Sequence, residues 1–285
     1  MRECGINFQN LDLKKINKIY CFGTSFTAGG GYYFGSKDME NHYSNYYNSL
    51  NEYPKTMFNY SYPGQLTKLF NNVEIKNLGK CGYGDDRTSR LIFDIVENPN
   101  SYIDATLFII ELSYLGREEL YSNKFKSFMV HNYSIDDNLT YNDSSLAINH
   151  KYDDTLDIRF LNHLTKLVNE YNREFWNYEN VHKTHNKNNI FLINYLLRNN
   201  LNFLIIEGTP NSIIKELLPN HYLVDFSPKM ENHDRYSMNH FIEDNKLKIS
   251  DVSNGEIEDY HASLEGNKLI ASKIYQHLIN HYNFE

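Results

Sequence analysis

Four short runs of apolar residues stand out from an otherwise mixed chain, and each leads into a turn or helix signal. Residues 16–23 (INKIYCFG) run into Thr24-Ser25-Phe26-Thr27-Ala28 and three glycines, Gly29, Gly30 and Gly31. Residues 73–78 (VEIKNL) lead to Gly79-Lys80-Cys81-Gly82-Tyr83-Gly84. The third run is 105–112 (ATLFIIEL), and the fourth, 201–207 (LNFLIIE), stops at Gly208-Thr209-Pro210. Near-continuous apolar character, in place of alternation, marks strands covered on both faces. Between these runs the apolar spacing changes to three and four, which predicts helices at 63–70, 87–96, 156–176, 190–198 and 266–281. The segment 156–176 is the clearest, with Leu161, Leu164, Leu167, Val168, Tyr171 and Phe175 on one stripe. The last helix carries Leu269, Ile270, Ile274 and Leu278 along another. Strands that alternate with helices predict an α/β protein with a parallel sheet between helix layers.

Two stretches fit this scheme poorly. Residues 121–154 are polar, rich in Asn, Asp, Ser and Tyr, and have no clean period; 211–256 is similar apart from a candidate strand at 222–226. Loops of this length in a compact domain serve as lids, binding loops or disordered excursions. No internal repeat, no Pro/Gly/Ser linker and no shift of composition divides the chain. Residues 1–285 therefore read as one domain with polar insertions at about 121–154 and 211–256.

Composition narrows the classes. Hydrophobic residues make up 41% and charged residues 22%, enough apolar material for a sizeable core without disulfides or metals. The formal charge of -8 speaks against nucleic acid and anionic membrane as partners, since binding phosphates takes clustered Lys and Arg. Cys4, Cys21 and Cys81 form no paired spacing, which suits a reducing compartment. The start, MRECGINFQNLDLKKINK, has no apolar signal-peptide core, and no run approaches the roughly 18 apolar residues of a membrane span. The expectation is a cytoplasmic protein, or a virion component if viral. Abundant Tyr, Phe, Asn, Ile and Lys beside one Trp suggests an AT-rich bacterial or viral genome.

A serine set directly after a buried strand lies at the carboxyl edge of the sheet, where open α/β folds bind ligands. Ser25 is so placed, and the glycines after it permit a tight turn and close approach of a substrate. Backbone N–H groups at a helix start can face an oxyanion. Neither G-x-x-x-x-G-K-[ST] nor G-x-G-x-x-G fits residues 23–31, and the G-x-S-x-G elbow is absent. At the far end, Glu258-Asp259-Tyr260-His261-Ala262-Ser263 precedes the final helix. A carboxylate two or three residues before a histidine can turn back to fix its tautomer, leaving the other ring nitrogen to take a proton from a hydroxyl.

Together these segments resemble the SGNH (GDSL-like) hydrolases. Phe22-Gly23-Thr24-Ser25-Phe26-Thr27-Ala28-Gly29 is similar to the family's nucleophile block, and Asn77-Leu78-Gly79-Lys80-Cys81-Gly82 to its second block. Asp259-Tyr260-His261-Ala262-Ser263 with the following helix resembles the last block, and Ile205-Ile206-Glu207-Gly208-Thr209-Pro210 a late core strand and its turn. The resemblance runs from about residue 16 to residue 279 in the expected order. It implies a three-layer α/β/α sandwich with a flavodoxin-like parallel sheet, and a serine esterase acting through an acyl-enzyme without a cofactor. Ser25 would be the nucleophile, His261 the general base and then acid, Gly82 an oxyanion donor and the Ser25 backbone N–H a second. Asp259 is the favoured orienting acid, with Glu258 the close alternative.

Two positions depart from the pattern. Thr24 stands where Asp is usual, and Glu111-Leu112-Ser113-Tyr114-Leu115-Gly116-Arg117 replaces the Gly-x-Asn of the third block. Ser113 or Arg117 is then the candidate for the missing donor, whose loss costs on the order of 10²–10³ in rate. The substrate class implied is a small-molecule or carbohydrate ester, an O-acetyl ester by preference. The rival readings are a non-catalytic binding or structural protein of the same fold, such as a virion component, and an O-acyltransferase. His182 and His185 have ligand-like spacing, but without Cys or carboxylate neighbours in sequence they read as solvated surface, as do His233 and His240, and no metal is expected. Tyr32, Tyr33, Tyr43, Tyr46, Tyr47 and Tyr53 crowd the segment after Ser25 and read as packing or an aromatic rim for a sugar ring.

Overall fold

The computed structural model describes residues 13–30, 55–80, 83–101, 103–113, 117–122, 127–135, 141–148, 166–167, 169–170, 177–208, 218–226, 237–249 and 259–282. The four apolar runs form one parallel sheet: β1 (Lys18–Phe22), β2 (Glu74–Asn77), β3 (Thr106–Leu112) and β7 (Asn202–Glu207), in the order β2-β1-β3-β7. The outer position beyond β7 is taken by a single parallel bridge, Ile205 to Leu223, where the sequence suggested a strand at 222–226. This is the flavodoxin-like order, with its switch point between β1 and β3.

The continuous runs still obey the two-residue period of a strand. Ile19, Cys21, Leu107, Ile109, Leu204 and Ile206 point to one core; Phe22, Phe108, Ile110, Phe203 and Ile205 point to the other. The first core is closed by α3 (Tyr62–Leu66), α6 (Met238–Asp244) and α7 (Leu264–His281). The second is closed by α4 (Asp85–Val96) and α5 (Tyr178–Arg198). Helices on both faces make the α/β/α sandwich. Every residue of β3 is buried, as expected for the central strand, and each large apolar side chain covered there contributes about 1.5–3 kcal/mol. Phe22 and Phe108 stack at 5.9 Å across the β1–β3 pair, in register Cys21 to Ile109.

Several expectations need correction. The helix foreseen at 190–198 begins twelve residues earlier, at Tyr178, because the polar turns 178–189 continue its path along α4. In α7 the buried stripe runs through Ile270, Ala271, Ile274 and Leu278, while Leu269 is 38% exposed and lies off it. The first polar insertion is not irregular: β4 (Arg117–Ser122), β5 (Ser127–Ile135) and β6 (Tyr141–Ile148) form an antiparallel meander, β4-β5-β6. Strand pairing satisfies the backbone of all three strands. The second insertion holds α6, capped by Ser237, and β8 (Lys248–Ile249). Most of the predicted helix 156–176 lies outside the described residues; 166–167 and 169–170 are helical. Among the described residues no helix is long and apolar enough to cross a membrane.

Candidate functional site

At the switch point β1 hands the chain to a single helical turn, α1 (Ser25–Ala28), preceded by Thr24 and followed by Gly29 in the left-handed conformation (φ 77°). Gly23 has φ 152°, and a Cβ there would lie 2.5 Å from Glu111 Oε2, so only glycine fits between β1 and β3 at this point. Ser25 is buried (7% exposed), and its carbonyl accepts from Gly30 N–H at 2.7 Å.

His261 arrives from the other end of the chain. It sits on β9 (Asp259–Ala262), which pairs antiparallel with β8, Lys248 opposite Ala262 and Ile249 opposite Asp259, across a register shift. Local bonds set this short strand. Ser263 N–H donates to Leu247 O (2.8 Å), and Asn267 Nδ2 donates to Ala262 O and Ser263 O (3.2 and 3.1 Å). Tyr60 Oη donates to Ala262 O at 3.3 Å, tying the strand to α2 (Lys55–Tyr60). The imidazole packs on Phe26, the residue after Ser25, with ring centroids 5.2 Å apart.

Gly30 shows how close the two ends come. A Cβ placed on it would lie 3.1 Å from His261 Nε2 and 3.1 Å from Ser25 Cβ. The ring nitrogen and the serine methylene thus flank one small gap, no more than about 6 Å across, and the absence of a side chain at Gly30 keeps it open. A serine hydroxyl turned into that gap would face the ring nitrogen, the arrangement from which a proton transfer starts.

Behind the serine lies a buried carboxylate. Glu111, at the penultimate position of β3 and 1% exposed, faces α1. Its Oε1 accepts from Thr24 Oγ1 at 2.5 Å; its Oε2 accepts from Thr24 N (3.2 Å), Thr27 N (2.9 Å) and Thr27 Oγ1. The Thr27 hydroxyl is also 3.0 Å from Tyr62 Oη. Burial pushes the Glu111 carboxyl above its ordinary pKa, while the hydrogen bonds from Thr24 and Thr27 oppose that rise.

The second block packs against the same turn. Asn77 donates through Nδ2 to Thr27 O (2.7 Å), and its Oδ1 accepts from Gly79 N (2.9 Å). Lys80 N–H donates to Gly23 O at 3.0 Å. On the opposite side of β3, Ser113 N–H donates to Asp85 Oδ1 (2.7 Å), so this backbone donor is already committed. Asp85 is buried at the start of α4, with His185 Nε2 3.5 Å from its Oδ2. His185 Nε2 also lies 3.1 Å from Asn189 Nδ2, and His182 Nδ1 lies 2.9 Å from Asn186 Nδ2. These histidines stand inside α5, and His185 faces a carboxylate that sequence proximity does not reveal, so it is no solvated surface residue.

Of the residues singled out in the sequence, Ser25 and His261 come together, and Ser113 lies at the end of the neighbouring strand. Gly82 and Glu258 lie outside the described residues. Asp259 opens β9 and Arg117 opens β4, their side chains outside the described set. His233 and Tyr32, Tyr33, Tyr43, Tyr46, Tyr47 and Tyr53 are outside it too. His240 sits on α6 with Nδ1 3.3 Å from Ser237 Oγ. Among the described residues no group of three or more His, Cys, Asp or Glu is arranged to hold a metal. Glu111 and Asp85 escaped the sequence reading, and Gly30, expected as part of a tight turn, also stands between Ser25 and His261. A lone carboxylate inside the run ATLFIIEL was the available signal for the first.

No protein-family model matches the chain, and no curated protein is similar to it in sequence. Among solved structures it is similar to that of a protein assigned as lipolytic, of the G-D-S-L family, from Desulfitobacterium hafniense DCB-2. The likeness spans 92% of this chain and 99% of the other, at 13% identity and a TM-score of 0.32.

Proposed function

We propose that the protein is a serine-dependent ester hydrolase of the SGNH type. The observation that carries this reading is the convergence of Ser25 and His261 on the gap kept open by Gly30, from opposite ends of the sequence. Ser25 Oγ attacks the acyl carbon as His261 Nε2 takes the hydroxyl proton, giving a tetrahedral oxyanion. The oxyanion is held by the Ser25 backbone N–H and by Gly82. Collapse breaks the ester C–O bond, and the alcohol leaves with the proton from His261. Water, deprotonated by the same imidazole, then releases the carboxylic acid and restores Ser25. Asp259, or Glu258, orients the ring. The preferred substrate is a small acyl ester of a carbohydrate, acetyl first, which the chain takes without a cofactor.

One observation favours the rival reading, a weakly active or non-catalytic binding protein: no Asn side-chain donor stands at the end of β3, where the chain reads Glu111-Leu112-Ser113. A single experiment separates the two. With p-nitrophenyl acetate, nitrophenol release and the mass of an acyl adduct are followed for the wild type and Ser25→Ala. Ser25-dependent turnover with an adduct on Ser25 is expected. Equal rates and no adduct sink the esterase reading and leave the binding protein.

A further inference from the structure

We infer that Glu111 is a positioning residue for Ser25, clamping the nucleophile turn from the central strand on both sides of the serine. The inference rests on the esterase reading and names a device that the sequence motifs do not contain. α1 is one turn long, too short to hold its own shape by helical hydrogen bonds. In an ordinary N-cap the side chain of Thr24 would accept from the N–H three residues on, that of Thr27. Here Thr24 makes no such cap. Its hydroxyl points the other way and donates to Glu111 Oε1, while Glu111 Oε2 takes the Thr27 N–H that the cap would have satisfied. The capping function has moved from the turn itself to β3.

The transfer has a physical consequence. A carboxylate buried in the sandwich is costly unless its oxygens are filled with donors, and an apolar residue would pack there more cheaply. What the carboxylate provides is geometry. It receives the backbone N–H and hydroxyl of the residue before Ser25 and the backbone N–H and hydroxyl of the second residue after it. Ser25 is thereby held between two fixed points on the most buried strand of the sheet, and its N–H and Oγ inherit that orientation. Gly23 is too close to Glu111 for a side chain, so the clamp and the turn fit as one piece.

The test uses the full chain in three variants. Glu111→Gln keeps the shape but sets an NH₂ against N–H and O–H donors. Thr24→Val removes one clamping hydroxyl, and Thr24→Ser restores it. With p-nitrophenyl acetate, Glu111→Gln is expected to lower kcat about 10²-fold, the scale of a 1 Å misplacement, with KM changed less than about threefold. Thr24→Val should lose about tenfold in kcat and Thr24→Ser little, on the lower part of the same scale. Amide hydrogen exchange is read in parallel. Glu111→Gln should lose protection at 24–28 while β3 and β7 keep theirs. Wild-type kcat or unchanged protection at 24–28 in Glu111→Gln overturns the inference. If that variant does not fold, Thr24→Val decides: parity with Thr24→Ser overturns it, and a kcat loss rescued by serine supports it. A wild type without Ser25-dependent turnover, whose Glu111→Gln variant still loses protection, sinks the esterase reading and reduces Glu111 to a helix cap.

Discussion

The two halves of the candidate pair are built in different ways. Ser25 is fixed from within: it follows a core strand, rests on fully buried β3 and is bracketed by Glu111. His261 is fixed from the rim. Its strand of four residues pairs with a strand of two, across a register shift, and depends on Tyr60, Leu247 and the first turn of α7. Local stability follows the number and burial of such contacts, so Ser25 belongs to the rigid part of the molecule and His261 to a more easily opened one. A hydrolase needs the first for geometry at the attacked carbon. On the proposed reading, the second would let the imidazole follow the proton from Ser25 to the leaving group.

The largest expected effect comes from filling the space between them. Gly30→Ala places a methyl 3.1 Å from both His261 Nε2 and Ser25 Cβ, where the hydroxyl and the ring must approach. Turnover with p-nitrophenyl acetate is expected to fall by about 10²-fold or more, with the thermal midpoint nearly unchanged, because displacement by a fraction of an ångström is enough. A fully active Gly30→Ala variant would mean that Ser25 and His261 do not work across this gap. A smaller effect should come from the rim. Ser263 Oγ accepts from Gly266 N–H and caps α7, the helix that anchors β9. Ser263→Ala is expected to cost about 1 kcal/mol of unfolding free energy in a denaturant titration, and kcat a few-fold at most. If the kcat loss instead rivals that of Gly30→Ala, the rim is no softer than the core and the comparison fails.

The rigid half was the more legible. Strands β1, β3 and β7 announced themselves because a strand covered on both faces must be apolar throughout, and Ser25 could be placed at the edge of such a strand. His261 was found from its neighbours and the helix after it, but not its strand: β9 pairs with only two residues, too short to leave a period. Glu111 was hidden for a physical reason. Its role depends on register between β1 and β3, and a sequence does not show which side of a strand faces a turn 84 residues away. Thr24 looked like a loss of the usual Asp, since the carboxylate that grips the turn comes from another strand. The meander β4-β5-β6 was missed because its apolar and polar residues follow no clean period, and pairing, not patterning, makes it a sheet. Asp85 and His185, a hundred residues apart, lay beyond any spacing argument in the same way.

The smallest effect sets Glu111, behind Ser25, against a buried histidine at the far end of α7, and it is read by sign. At the far end of α7, His277 Nε2 lies 2.9 Å from His221 O, and its ring is 4.5 Å from that of His281. Burial lowers the pKa of His277, with His281 and His221 adding to the fall while the bond to His221 O and Asp225 oppose it; burial and His281 lower that of His221. A depressed folded-state pKa means the unfolded chain binds the proton more readily. These histidines therefore contribute stability that is present above their unfolded pKa of about 6.5 and is lost as pH falls through the folded values. Glu111 has the opposite sign: its raised pKa favours the folded state below the unfolded value of about 4.3, and that contribution is lost as pH rises through the folded value. Unfolding free energies of wild type, His277→Gln and Glu111→Gln across pH 4 to 8 should then diverge. His277→Gln flattens the decline toward acid, and Glu111→Gln flattens a decline toward neutral pH. Two variants shifting the curve in the same direction would show that burial does not move the Glu111 carboxyl and the His277 imidazole in opposite directions.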